Sequence, residues 1–491
     1  MDSAIARERV RSFVTRPPFA ASPTTPPGTN TPQKTPQASL ELSTRPPSVA
    51  IEDFRAETSE SGERLSSHCR CEPWVQLLVG HLVLFNSFGL IQSFSIFQPQ
   101  YAVLFGASPS AVAWIGSIHV FLVYFIGTFS GKALDAGYYT HCLGIGLMIQ
   151  LVGIIGAVSC DNYALSFIFH GVFQGIGHGL MFCPIVTNTA LYFWRRSDGG
   201  TAEDPDHEGS LNIRTATAMS LAACGGGTGG IVFPLIARAT LNRYGIPWTL
   251  RIIGLVVLAN SVLIFALAKE KPRDEPETRV KSRIVEWRAF KEGAYALYVI
   301  AMFLAFVGLW VPYFYVRDFN ANALHISPPT SLLILITLNA SGIPGRLIPA
   351  LLSDHVLGAI NTYILVLLTT STTLLLWPFV SSTVGMFVWA AAYGFCAGGV
   401  ASLMQAGIAS LNTEPQKTGV KIGMAFSIVA FASLVGGPLG GELIKAGEKR
   451  GDGREKYLWL QVFVGGIMLL GCAVLVGARV LKTGWKMGVR V

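Results

Sequence analysis

A chain of 491 residues that is 51% hydrophobic and only 13% charged carries about half the charge of a soluble protein, which excludes an ordinary water-soluble domain. Its formal charge of +8 would suit nucleic acid, but in so apolar a chain Lys and Arg collect in cytosolic loops, so no nucleic-acid partner is expected. The eight cysteines are scattered and form neither a disulfide framework nor a metal-type spacing; no cofactor and no metal are expected.

Residues 1–72 differ from all that follows. The stretch from Ser22 to Pro47 is dense in Pro, Thr and Ser and cannot bury enough apolar surface to fold, so a disordered cytosolic tail is expected. No apolar core lies near the start, which argues against a cleavable signal peptide. Ser22, Thr25, Thr31 and Thr35 each precede a proline and are candidate sites for a kinase partner; an unmodified flexible tail is the alternative.

Beyond residue 72, apolar runs of about 20 residues recur, the length that spans a bilayer. Lipid offers the backbone no partners, so the runs must be helices. The fold class expected is an all-α polytopic membrane protein with twelve transmembrane helices in two six-helix bundles. The first six lie near 75–97, 110–129, 142–159, 164–193, 215–237 and 247–268. The second six lie near 294–316, 329–353, 359–379, 384–410, 420–445 and 457–480. The N-terminal bundle is then 73–268, with a cytosolic insertion at 197–214, and a cytosolic linker covers 269–293. The C-terminal bundle is 294–480, followed by a cytosolic tail at 481–491. The Lys and Arg bias places both termini in the cytosol, and the plasma membrane is the expected location.

The halves read as parallel repeats. Asp135 follows helix 2 as Asp354 follows helix 8, and Gly171 and Gly394 recur in helices 4 and 10 at nearly the same offset. Helix 5 carries a glycine run at 225–230 and helix 11 another at 436–441. Such duplication around a central site is a transporter architecture.

Within these runs Arg346 is the one basic residue well inside an apolar segment. A cation there costs roughly 2.5–3.5 kcal/mol on the mild insertion scale, so it needs a function or a wet cavity. It is the first candidate substrate contact, with snorkelling to the interface as the alternative. His170, Gln174 and His178 share one face of helix 4. They are either a substrate- or proton-facing stripe or interhelical hydrogen-bonding groups. Asn86 and Gln92 in helix 1, Tyr313 and Tyr315 in helix 7, Asn339 in helix 8, and Tyr393 and Gln405 in helix 10 are further cavity candidates. His81 and His119 read as structural. Asp135 and Asp354 suit gating, because a carboxylate neutralises the positive start of a neighbouring helix. No nucleotide cradle, metal constellation or acid pair suggests an enzyme.

With these features in order, the chain from Trp74 to Val480 resembles the major facilitator superfamily, and within it the fungal branch of the monocarboxylate-porter family. The resemblance rests on Ser93–Gln98 ending helix 1, Gly171 with the Gly175, Gly177 and Gly179 series, and Tyr192-Phe193 before Arg195-Arg196. It continues in Val311-Pro312, Gly345-Arg346, Gly423–Ser427 and Gly437-Pro438. It implies alternating-access transport of a small organic solute, an organic anion or monocarboxylate-like compound or a fungal secondary metabolite, moved inward or outward. Two departures bear on chemistry. Lactate-carrying animal members have a lysine in helix 1 where this chain has Gln92, and an acid one turn before the helix 8 arginine where it has Gly342. A lactate-type cargo and its proton therefore do not carry over directly; for proton coupling His170 and His178 are the candidates. The competing expectation is a non-transporting sensor that keeps the fold and signals through its tail.

Overall fold

A backbone in hydrocarbon must satisfy its own hydrogen bonds, and this chain does so with helices. The structure, a computed structural model, describes residues 72–193, 215–271, 286–411, 418–449, 451 and 453–484, and every regular element among them is helical. All but the last residue of the expected tail, the insertion 197–214, most of the linker 269–293 and the chain end from 485 lie outside the described residues.

The helices are α1 (Glu72–Ile96), α2 (Pro109–Asp135), α3 (Tyr139–Val158) and α4 (Tyr163–Phe193). After α5 (215–244) and α6 (246–267) come α7 (Gly293–Asn322), α8 (Pro328–Leu352) and α9 (Ala359–Leu376). The last are α10 (Thr383–Leu411), α11 (Thr418–Glu448) and α12 (Leu458–Thr483). Their starts carry the residues that helix starts need. Ser108 Oγ accepts from Ala111 N at 3.2 Å just before Pro109, and Asn162 Oδ1 accepts from Leu165 N at 2.9 Å. Pro328 opens α8, where a missing N–H costs nothing.

Eleven helices among the described residues are long and apolar enough to cross a membrane. One of them, Thr217–Leu267, has 51 residues and would measure about 75 Å if straight, more than twice a hydrocarbon core of about 30 Å. It breaks at Gly245, whose φ of 75° and ψ of −178° suit only glycine. Thr240 Oγ1 and Thr249 Oγ1 then hydrogen-bond at 2.9 Å, although nine residues of straight helix would hold them about 13 Å apart. The chain therefore doubles back here, giving α5 and α6 as separate crossings.

Short connections make consecutive helices antiparallel. The ends that come together are fixed by side chains. Gln76 Nε2 donates to Leu267 O at 2.9 Å and Asn188 Nδ2 to Lys269 O at 2.9 Å, so the start of α1 and the ends of α4 and α6 share one face of the molecule. Tyr295 OH reaches Lys421 O at 2.8 Å and Lys482 Nζ reaches Leu411 O at 2.9 Å, placing the starts of α7 and α11 together and the ends of α10 and α12 together. We call this face the Glu72 end and the opposite one the Gly106 end. α8 packs on α5 and α10, and α2 packs on α4 and α11.

Three spans run past their expected ends: helix 2 reaches Asp135 rather than 129, and helix 5 reaches 244 rather than 237. Helix 7 continues to Asn322 rather than stopping at 316. The basic Arg317 reads as a boundary in the sequence, but its Nη1 donates to Ser95 O at 3.1 Å, a bond that lets the helix run on past the charge.

Candidate functional site

The site is built on α8. Pro344 and Pro349 sit inside this helix, and Arg346 lies between them, only 4% exposed. Its Nη1 donates to the carbonyl of Gly342, one turn back, at 2.8 Å. On α1, Gln92 is 1% exposed and faces it. With the Gln92 amide turned so that both its ends are satisfied, its oxygen accepts from Arg346 Nη2 at 3.1 Å. Its nitrogen then donates to Gly226 O at 3.2 Å and to Asn339 Oδ1. Asn339, also 1% exposed, completes its own bonding through Leu335 O at 3.0 Å. Three expected residues, Arg346, Gln92 and Asn339, thus meet at one point between α1, α5 and α8.

Glycine on α5 makes that meeting possible. A methyl group at Gly227 would stand 3.4 Å from Arg346 Nη1 and 3.2 Å from Asn339 O, and one at Gly230 would stand 2.5 Å from Asn339 Oδ1. Any larger residue would push α8 and its polar groups away from α5. Among the described residues no carboxylate pairs with Arg346. Its guanidinium is met by neutral oxygens.

Arg346 lines a partly open pocket between the helices. The residues around it come from the Glu72-end halves of α2, α4, α5, α8, α10 and α11 and from the middle of α1 and α7. The walls are aromatic. Phe88 stacks on Trp310 at 5.9 Å between centroids and meets Phe182 edge-on at 5.4 Å. Tyr124 stacks on Phe426 at 5.5 Å and meets Phe306 at 5.9 Å. Gln405 and Ser402 of α10 add polar edges. Trp310 Nε1 is buried with no hydrogen-bond partner. An apolar enclosure with few convergent polar groups is what a small-molecule site requires.

Toward the Gly106 end the path is closed. Phe94 of α1 and Phe314 of α7 meet edge-on at 5.8 Å, and a methyl at Gly116 of α2 would strike Phe94 at 2.9 Å. Arg317 Nη1 bonds Ser95 O, and Ser110 Oγ donates to Pro438 O at 3.1 Å, joining α2 to α11.

The other expected residues fall elsewhere. Asn86 faces α6, where Asn260 Nδ2 donates to its Oδ1 at 3.0 Å. Tyr313 packs against Trp310 and Tyr393 behind the cavity wall. Gln174 is buried against Gly153 of α3, its Oε1 without a partner. His170 lies in a widened turn of α4, Phe167–Phe173, bonded through Nδ1 to Tyr101 OH at 2.9 Å and enclosed by Phe94 and Phe97. His178 Nδ1 and His119 Nε2 share a hydrogen bond of 2.7 Å between α4 and α2. None of these five lines the cavity. Tyr315 and Tyr393 bond backbone carbonyls, Gly437 O at 2.8 Å and Leu309 O at 2.6 Å. At the Glu72 end Asp354 Oδ2 accepts from Thr217 Oγ1 of α5 at 2.9 Å. Asp135 closes α2, and its side chain lies outside the described residues.

Sequence reasoning missed two kinds of residue. The aromatic wall, Phe88, Tyr124, Phe182, Phe306, Trp310 and Phe426, is indistinguishable in sequence from lipid-facing aromatics. The one signal was spacing, since Phe88 and Gln92 lie one turn apart on α1 and so share a face. The second kind is further basic residues drawn inside. Lys421, 2% exposed, donates to both Glu292 oxygens at 2.8 and 2.9 Å, and Arg317 has a buried Nε without a partner.

Residues 77–404 match the family model described as Major Facilitator Superfamily. A protein described as an MFS-type transporter from Gibberella zeae is 32% identical over 408 residues, covering 83% of this chain and 86% of that one. An aspyridones efflux protein from Emericella nidulans is 27% identical over 412 residues, covering 83% of this chain and 78% of that one. In fold, the chain is similar to the nucleoside transporter NupG, with a TM-score of 0.63 at 12% identity, covering 82% of this chain and 99% of that one. The chain belongs to the major facilitator superfamily and is a secondary transporter of a small organic solute.

Proposed function

We propose that this protein carries a planar, aromatic or conjugated organic anion out of the cytosol, with Arg346 as its charge contact. The observation that carries the reading is a buried guanidinium, surrounded by neutral oxygens, on the wall of an aromatic cavity. Burying such a charge without a counter-charge is expensive, and a cargo carboxylate, enolate or sulfonate would supply what the described residues do not. The flat faces of Phe88, Tyr124, Trp310 and Phe426 suit stacking against a ring system, and the free Trp310 N–H is a second donor for the cargo. The resemblance to monocarboxylate porters supports an anion, and the efflux description of the Emericella nidulans relative supports export.

In this reading the Glu72 end is cytosolic, both termini lie inside, and the membrane is the plasma membrane. The two sets of six helices rock about the central site. Asp354 with Thr217, and Asp135 at the matching place, fasten the cytosolic side. The closure of Phe94, Phe314 and Arg317 fastens the other. His170 and His178, both held by other side chains away from the cavity, are given no part in binding. The N-terminal tail remains a candidate kinase substrate.

The test is a metabolite screen of cells with and without the protein, repeated for Arg346→Ala. Hydrogen bonds to a charged group are worth roughly 1.5–3 kcal/mol, so flux of an anionic cargo should fall about ten- to a hundredfold with membrane abundance near normal. Flux unchanged by Arg346→Ala would remove the assigned role.

A further inference from the structure

Among the described residues, every group in contact with Arg346 is electrically neutral, and this bears on what charge accompanies the cargo. We propose that transport through this site is electrogenic: the organic anion crosses without a compensating proton and carries its negative charge across the membrane. The inference rests on the reading of Arg346 as the cargo's contact.

An electroneutral cycle needs a proton that binds when the anion binds, hence a group near the anion able to gain one. Around Arg346 the contacts are the amides of Gln92 and Asn339 and the backbone carbonyl of Gly342. The titratable groups within its field from neighbouring helices are the phenols of Tyr124 on α2 and Tyr313 on α7 and the thiol of Cys224 on α5. Phenols and thiols are already protonated at physiological pH and have no further proton to accept. Among the described residues, no carboxylate and no histidine lines the cavity. His119 and His178 bond each other between α2 and α4, and His170 bonds Tyr101. Gln92 is then a neutral place-holder. Its amide oxygen satisfies the guanidinium when the site is empty but leaves the positive charge in place for the cargo. An acid at this position would compete with the cargo and tie binding to a proton.

Moving one charge through the membrane potential changes the equilibrium distribution of a monoanion about 50-fold per 100 mV. In a cell negative inside, that gradient drives the anion outward with no other energy source.

The experiment uses the full chain in proteoliposomes and naphthalene sulfonate, a flat anion that stays ionised and so brings no proton of its own. A potassium gradient with valinomycin sets the potential. An inside-positive potential of about 100 mV should raise the internal-to-external ratio by about 50-fold over zero potential, and a pH gradient alone should leave it unchanged. A ratio that follows the pH gradient and ignores the potential overturns the inference. Counterflow exchange at zero potential separates the two readings. Absence of exchange, or exchange unaffected by Arg346→Ala, removes the cargo reading and this inference with it. Exchange that requires Arg346 while the distribution ignores potential removes electrogenicity alone. Gln92→Glu should lower exchange at least tenfold at neutral pH and recover it only below pH of about 4.3, the ordinary glutamate value, because the adjacent guanidinium favours the ionised carboxylate; undiminished exchange would overturn the place-holder role.

Discussion

The glycine runs of α5 and α11 occupy matching places in the two halves of the sequence, and each lets a helix of the other half come close. What they meet differs. Against α5, a methyl at Gly230 would strike the Asn339 amide, and one at Gly227 would stand beside Arg346. Against α11, a methyl at Gly437 would meet Ser117 and the Phe314 ring. Arg346 lies eight residues before Asp354, and eight residues before Asp135 on α2 stands Gly127, where a methyl would meet Phe182 at 3.3 Å. One seam is thus polar and charged and borders the cavity; the other is aromatic and closes the Gly106 end. The same small-residue device permits both, because glycine lets backbones approach whatever chemistry the facing helix presents.

The strongest way to break this comparison is to fill the aromatic seam. Gly437→Leu overpacks the contact with Phe314, a change worth roughly 1–3 kcal/mol. Closure at the Gly106 end should be lost, with flux falling about tenfold or more. Ser95→Cys introduced alongside it should become reactive to an impermeant thiol reagent added on that side, relative to Ser95→Cys alone. Normal flux with no gain in labelling would show that this seam does not close the path.

Filling the polar seam should act differently. Gly230→Ala places a methyl 2.5 Å from Asn339 Oδ1 and so disturbs Asn339, Gln92 and Arg346 together. The expected outcome is a KM for an anionic cargo raised about tenfold, the scale of one or two weakened hydrogen bonds, with kcat changed less. A loss in kcat alone, at unchanged KM, would place the α5 glycines in gating rather than in shaping the site.

The smallest effect is expected at the Glu72-end fastening. Asp354→Ala removes an acceptor from Thr217, a hydrogen bond worth roughly 0.5–1.5 kcal/mol. Flux should change about two- to tenfold, and Thr217→Val should reproduce the change. If the two variants differ widely in initial-rate assays, the bond between them is not what Asp354 contributes.

Much of this was legible in the sequence. Apolar length and the absence of backbone partners in lipid dictate helices, and the glycine and aspartate offsets read as a duplication. Arg346 stands out because a charge in an apolar run is costly wherever the helix points. Gln92 and Asn339 were legible as polar residues in apolar helices, but so were Asn86, Gln174 and Tyr313. Composition treats all five alike. Only packing separates them: Asn86 turns to Asn260 of α6, Gln174 to α3, and Tyr313 to Tyr393.

The tertiary structure alone decided which rings form a wall and which charge stays unneutralised. Phe88, Tyr124, Trp310 and Phe426 come from four helices far apart in the chain, and nothing local distinguishes a ring facing a cavity from one facing lipid, since both environments are apolar. The pairing of charges is likewise non-local. Lys421 meets Glu292 across 129 positions, whereas Arg346 meets the amide of Gln92. A residue's type sets what it can bond, and the long-range packing of helices sets what it does bond.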